Sequence, residues 1–140
     1  MFIYPTGNVY DLPQFYYEID VTPTEAVFAS LIYNDKGNVT NCEGCAKQSI
    51  ELPCTGKNTF PDHQITHKVE VTENMYTTQR YIPFAIFPEK LRQNRVWRAN
   101  FYRYSYPDGF ARKYELSGWS PTYSPSFHEP KRFGILVFDF

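Results

Sequence analysis

Hydrophobic and polar residues alternate most cleanly from Phe15 to Val21. Phe15, Tyr17, Ile19 and Val21 fall on one side, and Tyr16, Glu18 and Asp20 on the other. A period of two over this length predicts a strand with one buried face. The alternation returns at Ile65, His67, Val69 and Val71, with Thr66, Lys68 and Glu70 opposite. Shorter apolar runs predict strands over residues 2–4, 27–33, 81–87, 96–104, 112–116 and 134–140. Pro5 and Gly7 close the first strand, Pro23 interrupts after Val21, and Asn34-Asp35-Lys36-Gly37 is a turn signal. Pro83 places the 81–87 strand at a sheet edge or a bulge. Pro88 suits the first position of a single helical turn ending near Gln93. Residues 38–62 are polar and read as a long insertion or an irregular hairpin. No internal repeat and no second domain are visible.

Composition supports the same architecture. The 140 residues make one domain, long enough to bury roughly 68% of the unfolded surface. Aromatic residues make up 19% of the chain, as 12 Tyr, 12 Phe and 2 Trp. Such residues favour strands, and the 11 Pro and 7 Gly cut the chain into short ones. An all-β sandwich or barrel is predicted. The formal net charge is −1 and there is no basic tract, which excludes nucleic acid as a partner. No apolar run is long enough to cross a bilayer, so no membrane partner is expected. Met1 is followed at once by strand-like Phe-Ile-Tyr, so no signal peptide is expected in this chain.

The order of blocks resembles the carbohydrate-binding module family 9-like domains, β-sandwiches of the dopamine β-monooxygenase N-terminal-like group. The blocks are Tyr17-Glu18-Ile19-Asp20-Val21-Thr22-Pro23 with Val27-Phe28, Ile82-Pro83-Phe84, Trp97-Arg98-Ala99-Asn100-Phe101-Tyr102-Arg103, Trp119-Ser120-Pro121-Thr122, and Phe127-His128-Glu129-Pro130 with Phe133-Gly134. They run in family order over nearly the whole chain. The resemblance implies an antiparallel two-sheet β-sandwich, immunoglobulin-like or jelly-roll-like, that is N-terminally incomplete, because such domains have strands ahead of the block matching Met1 to Pro5. It also implies non-catalytic binding of poly- or oligosaccharide, often beside a linked glycoside hydrolase, in an extracellular or secretory setting.

Sugars present apolar C–H faces and many hydroxyls, so their sites combine flat aromatic rings with planar polar side chains. In family members two tryptophans sandwich the terminal sugar. Phe127 stands in the place of one; the other, with an acidic partner, would lie upstream of Met1. The family's arginine falls in the strand matching Tyr16 to Val21, which has no basic residue. The expected sugar-binding set is therefore Phe127, Trp119, Tyr123 and Ser124 with Arg98 and Asn100, while Trp97, Phe101 and Phe133 are expected in the core. Trp119, in the rigid loop between Gly118 and Ser120-Pro121, either presents its ring or, as such tryptophans often do, staples the loop to the core. Arg98, Asn100 and Tyr102 share the strand face opposite Trp97, where they either meet hydroxyls or form a solvated surface. If Trp119, Tyr123 and Phe127 instead all pack inward, the expected alternative is a structural or protein-interaction sandwich with a lapsed sugar site.

Cys42, Cys45, Cys54, His63 and His67 invite a zinc reading. A strand rises about 3.3 Å per residue, so an extended His63–His67 segment holds those rings roughly 13 Å apart, far beyond shared zinc coordination. A Cys42/Cys45/Cys54/His63 set is the remaining metal arrangement, but a disulfide from Cys54 to Cys42 or Cys45 is preferred. Secreted family members often carry such a pair here. Asn38-Val39-Thr40 is an N-glycosylation sequon, which makes Asn38 a glycosylation candidate. Glu18 and Asp20 sit roughly 6.6 Å apart on one strand face, near glycosidase spacing. The plainer reading of that pair is solvated charge. His128 has no Ser or Cys partner in the sequence pattern. No catalytic residue, cofactor or metal is therefore assigned.

Overall fold

The computed structural model describes residues 1–35, 38–41, 64–73, 75–107 and 113–140. The fold is all-β and antiparallel, with ten strands among the described residues. They are β1 (Phe2–Tyr4), β2 (Phe15–Val21), β3 (Val27–Asp35), β4 (Asn38–Asn41), β5 (Thr66–Val71), β6 (Tyr76–Tyr81), β7 (Val96–Asn100), β8 (Tyr102–Ser105), β9 (Glu115–Gly118) and β10 (Gly134–Val137). A six-stranded sheet runs in the order β10-β7-β1-β2-β3-β4, and β5-β6 and β8-β9 each form a two-stranded sheet. The α-helical turn α1 (Glu89–Arg92) follows Pro88 as predicted.

Both faces of the large sheet are covered. On the first, Ile3, Phe15, Tyr17, Ile19, Leu31, Trp97 and Ala99 pack with Ile65, Ile86 and Phe87. Trp97 meets Phe87 edge-on at 4.9 Å and Phe138 at 4.7 Å, and its Nε1–H donates to the Asn94 carbonyl at 2.8 Å. The β5-β6 hairpin is tied to this side by Arg80, whose guanidinium donates to the Ile19 carbonyl at 3.0 Å, and by the Tyr76 hydroxyl, which donates to the Val21 carbonyl at 3.2 Å. On the second face, Phe2, Tyr16 and Ile32 pack with Phe127 and Phe133, and with Tyr4, Tyr102 and Leu116. The loop before β10 and the β8-β9 hairpin supply that cover.

The strand Phe15–Val21 has the predicted limits, but it is not half-buried. Tyr16, expected on the open side, is fully buried, and its hydroxyl shares a 2.7 Å hydrogen bond with His128 Nδ1. Two other expectations change. The segment read as a strand over 81–87 divides into the end of β6 and a 3-10 turn at Phe84–Ile86, because Pro83 precedes the turn. The segment read as one strand over 96–104 divides at Phe101 into β7 and β8, which belong to different sheets. The cause is Asn100. Its Oδ1 accepts from the N–H groups of Phe101 (3.0 Å) and Ser120 (2.9 Å), while its Nδ2 donates to the Ser120 carbonyl at 2.8 Å. A side-chain amide thus stands where a backbone ladder would have continued.

Candidate functional site

Registers put Asn100, Phe2, Glu18 and Ser30 in one row across the second face of the sheet. Over this row lies the loop that holds most of the predicted sugar-binding residues. Its path is set by short side-chain-to-backbone bonds of the kind that let Ser and Thr shape turns. The Thr122 hydroxyl donates to the Ser124 carbonyl at 3.0 Å. The Ser126 N–H donates to Ser124 Oγ at 3.3 Å, and the His128 N–H donates to Ser126 Oγ at 3.1 Å. Ser124 is therefore committed to the loop's own conformation.

The predicted set separates into two groups. Trp119 and Tyr123 are displayed, at 53% and 80% exposure. Phe127, Arg98 and Asn100 are buried. The Phe127 ring stacks on Tyr102 at 4.2 Å with 18° between planes, so it is a core ring and not a surface one. Arg98 is neither solvated nor open to hydroxyls. Its guanidinium donates to the carbonyls of Asp11 (3.1 Å), Lys131 (2.8 Å) and Phe133 (3.0 Å), tying β7 to two separate stretches of chain. Asn100 is spent on Phe101 and Ser120, as above. Trp97 and Phe133 are core residues as expected, but Phe101 is 42% exposed and meets Trp119 edge-on at 5.7 Å.

Trp119 is both pinned and open. Its backbone N–H donates to the Phe101 carbonyl at 2.9 Å, and its indole lies against Gly134. A Cβ on Gly134 would sit 2.5 Å from Trp119 Cζ3, so only a glycine lets the ring approach β10 this closely. Tyr123 has a φ of 54°, in the left-handed region that side chains seldom adopt. The Arg132 guanidinium lies over its ring, 5.1 Å from the centroid.

A second group joins residues read in the sequence as solvated charge to tyrosines that went unread there. Glu18 and Asp20 are not simply solvated. Burial, and then the neighbouring Asp20 charge and a shared proton, push the Glu18 carboxyl up to about 7. The Met1 amino group lies 3.3 Å from Asp20 Oδ1. Burial raises the Tyr104 hydroxyl, with further push from Tyr114, Asp20, Tyr106 and Glu18. Burial lowers His128, and the Asp20 charge works against that. Tyr104 stacks with Tyr106 at 6.5 Å with 16° between planes and meets Tyr114 edge-on at 5.6 Å. The available signal was Tyr102-Arg103-Tyr104-Ser105-Tyr106, in which rings two residues apart share a strand face.

The cysteine and zinc expectations, Cys42, Cys45, Cys54 and His63, lie outside the described residues. Asn38 belongs to β4, where it pairs with Asp35. Among the described residues no group of three or more His, Cys, Asp or Glu is placed to hold a metal. No helix among them is long and apolar enough to cross a membrane.

The fold and its rim therefore define an antiparallel all-β domain with rigidly mounted exposed rings. In sequence, the chain is 28% identical over 133 residues to a protein of Arthroderma benhamiae named "Extracellular protein", with 90% of this chain and 54% of the relative aligned. The chain thus spans about half the length of that relative. No family model matches it, and no solved structure does.

Proposed function

We propose that this domain binds carbohydrate without catalysis, as an extracellular module of the kind that accompanies polysaccharide-degrading enzymes. The observation that carries the reading is Trp119. A half-exposed indole backed by the Gly134 backbone and held through Phe101 is ordered before any ligand arrives. Such a ring loses little entropy on stacking against a sugar, which is where the gain from preorganisation lies. Tyr123 extends the aromatic surface of the same loop. The name of the Arthroderma benhamiae relative supports the extracellular setting.

A glycan array followed by titration calorimetry tests this reading. Wild-type protein should bind neutral oligosaccharides, and Trp119→Ala should weaken that binding about tenfold, the size of one aromatic stack of roughly 1–1.5 kcal/mol. Failure to bind any glycan would refute it.

A second reading, a protein-interaction sandwich, has its own observation. β10 is an edge strand with Ile135 and Val137 exposed, and apolar edges can pair with another chain. Light scattering distinguishes it: under this reading the protein self-associates, and Val137→Lys restores the monomer.

A further inference from the structure

Resting on the carbohydrate reading, we propose that Arg132, Tyr123 and Trp119 form a subsite for acidic sugars, in which the Arg132 guanidinium clasps the carboxylate of a uronic acid beside the exposed rings. One short segment carries the contacts of all three. Phe133 is buried, and the residues on either side of it each meet one ring of the loop. The Arg132 guanidinium lies over Tyr123, 5.1 Å from the ring centroid, and the Gly134 backbone lies against the Trp119 indole. Two residues span at most about 7 Å, so the cation and the indole are rooted close together. The segment is itself fixed. The Arg132 N–H donates to the Glu129 carbonyl at 2.8 Å, and buried Arg98 holds the carbonyls of Lys131 and Phe133.

Charge and orientation select the ligand. Of the two cations in this turn, Lys131 already faces Glu129 at 3.7 Å. Arg132 is exposed, and among the described residues no ion pair or side-chain hydrogen bond satisfies its guanidinium. A guanidinium seated over a ring is attracted by the ring face and keeps N–H donors at its outer edge, where the fork matches the two oxygens of a carboxylate. A hydroxyl or an ester brings no negative charge to that fork. Tyr123, which supports the guanidinium, is 80% exposed and holds a φ of 54°. A strained backbone beneath a displayed ring is the kind of outlier that binding sites retain. The pyranose of a uronic acid fits both parts, with an apolar C–H face for the indole and a carboxylate for the arginine.

Calorimetry at pH 7 with a galacturonic acid trimer, its methyl-esterified counterpart and a glucose trimer tests the inference. The acid should bind about fivefold more tightly than the ester, the upper end for an exposed ion pair. Arg132→Gln should bring that ratio close to one, and Tyr123→Leu, which takes away the ring under the guanidinium, should lower it. Lys131→Gln removes the same charge from the same turn and should leave the ratio unchanged. Thermal melts report whether the variants fold. Equal affinities for acid and ester, a preference untouched by Arg132→Gln, or one lost as fully in Lys131→Gln, overturns the inference. If the ester and the glucose trimer bind and the acid gains nothing over them, the carbohydrate reading stands and the subsite falls. If no trimer binds, the subsite falls, and the glycan array alone decides the carbohydrate reading.

Discussion

Replacing Glu18 by glutamine should change how stability depends on pH, and the sign follows from the direction of the shift. The folded protein holds the Glu18 proton more tightly than the unfolded chain does, with the carboxyl moved from the ordinary 4.5 to about 7. Between those values the folded state binds more protons, so the Glu18 contribution to stability falls as pH rises through this window. It is fully retained below about 4.5 and constant again above about 7. At full weight the shift corresponds to roughly 3 kcal/mol, at about 1.4 kcal/mol per tenfold change. Glu18 keeps partial contact with solvent, and screening reduces the effect to about 1–2 kcal/mol.

Urea unfolding at pH 5 and pH 8 measures the effect, followed by tryptophan fluorescence through Trp97 and Trp119. His128 works in the opposite sense: its lowered folded value costs stability as pH falls below the ordinary 6.5. The comparison between wild type and Glu18→Gln cancels that contribution and isolates the carboxyl. Glu18→Gln should be the more stable protein at pH 8, and its pH 5 to pH 8 loss should be smaller than the wild-type loss by about 1–2 kcal/mol. Parallel pH profiles for the two proteins would refute the burial and coupling of Glu18.

Substitutions at three further positions probe the frame around the exposed rings. Asn100→Leu removes the amide that joins Phe101 and Ser120, leaves their backbone groups unsatisfied, and should cost about 2–4 kcal/mol by chemical denaturation. Arg98→Lys should be nearly as damaging as Arg98→Met, because a single ammonium cannot reproduce the guanidinium fork that meets three carbonyls; matching melting temperatures for the two variants would bear this out. Tyr123→Gly should raise stability by about 1 kcal/mol, since glycine accepts the left-handed backbone without strain, while any glycan binding through the loop declines.

Much of the fold is legible in the sequence because alternation reports burial directly. Phe2–Tyr4 and Phe15–Val21 are both read to the residue, and the helical turn after Pro88 is placed by proline alone. Tyr76–Tyr81 is not legible: Tyr-Thr-Thr-Gln-Arg-Tyr has no apolar period, and it is a strand because every residue pairs with β5. The break at Phe101 is also invisible, since the residues on both sides favour strand and only a distant partner, Ser120, makes Asn100 a switch. β4 was absorbed into a polar insertion for a similar reason, because pairing with β3 and not hydropathy defines it.

The candidate site is less legible, and the cause is the second covered face. A one-face strand model assigns Tyr16, Arg98 and Asn100 to solvent because they lie opposite the apolar set. In the fold a loop more than a hundred residues from Tyr16 lies over that face, through His128 and Phe133. Polar groups under such a cover must be satisfied internally, so Arg98 and Asn100 are committed to backbone groups and cannot also serve a ligand. Phe127 is drawn inward by the same packing. With both faces of the sheet occupied, the exposed aromatic surface of the loop and hairpin lies at the rim, on Trp119, Tyr123 and the β8-β9 tyrosines. Binding there is shallow by construction, and its strength depends on how firmly the rings are held. Gly134→Ala tests that dependence, because its new Cβ overlaps the Trp119 ring without touching the exposed indole surface. Glycan affinity should fall about as far as in Trp119→Ala, whereas unchanged affinity would show that the mounting of the ring is irrelevant to what it binds.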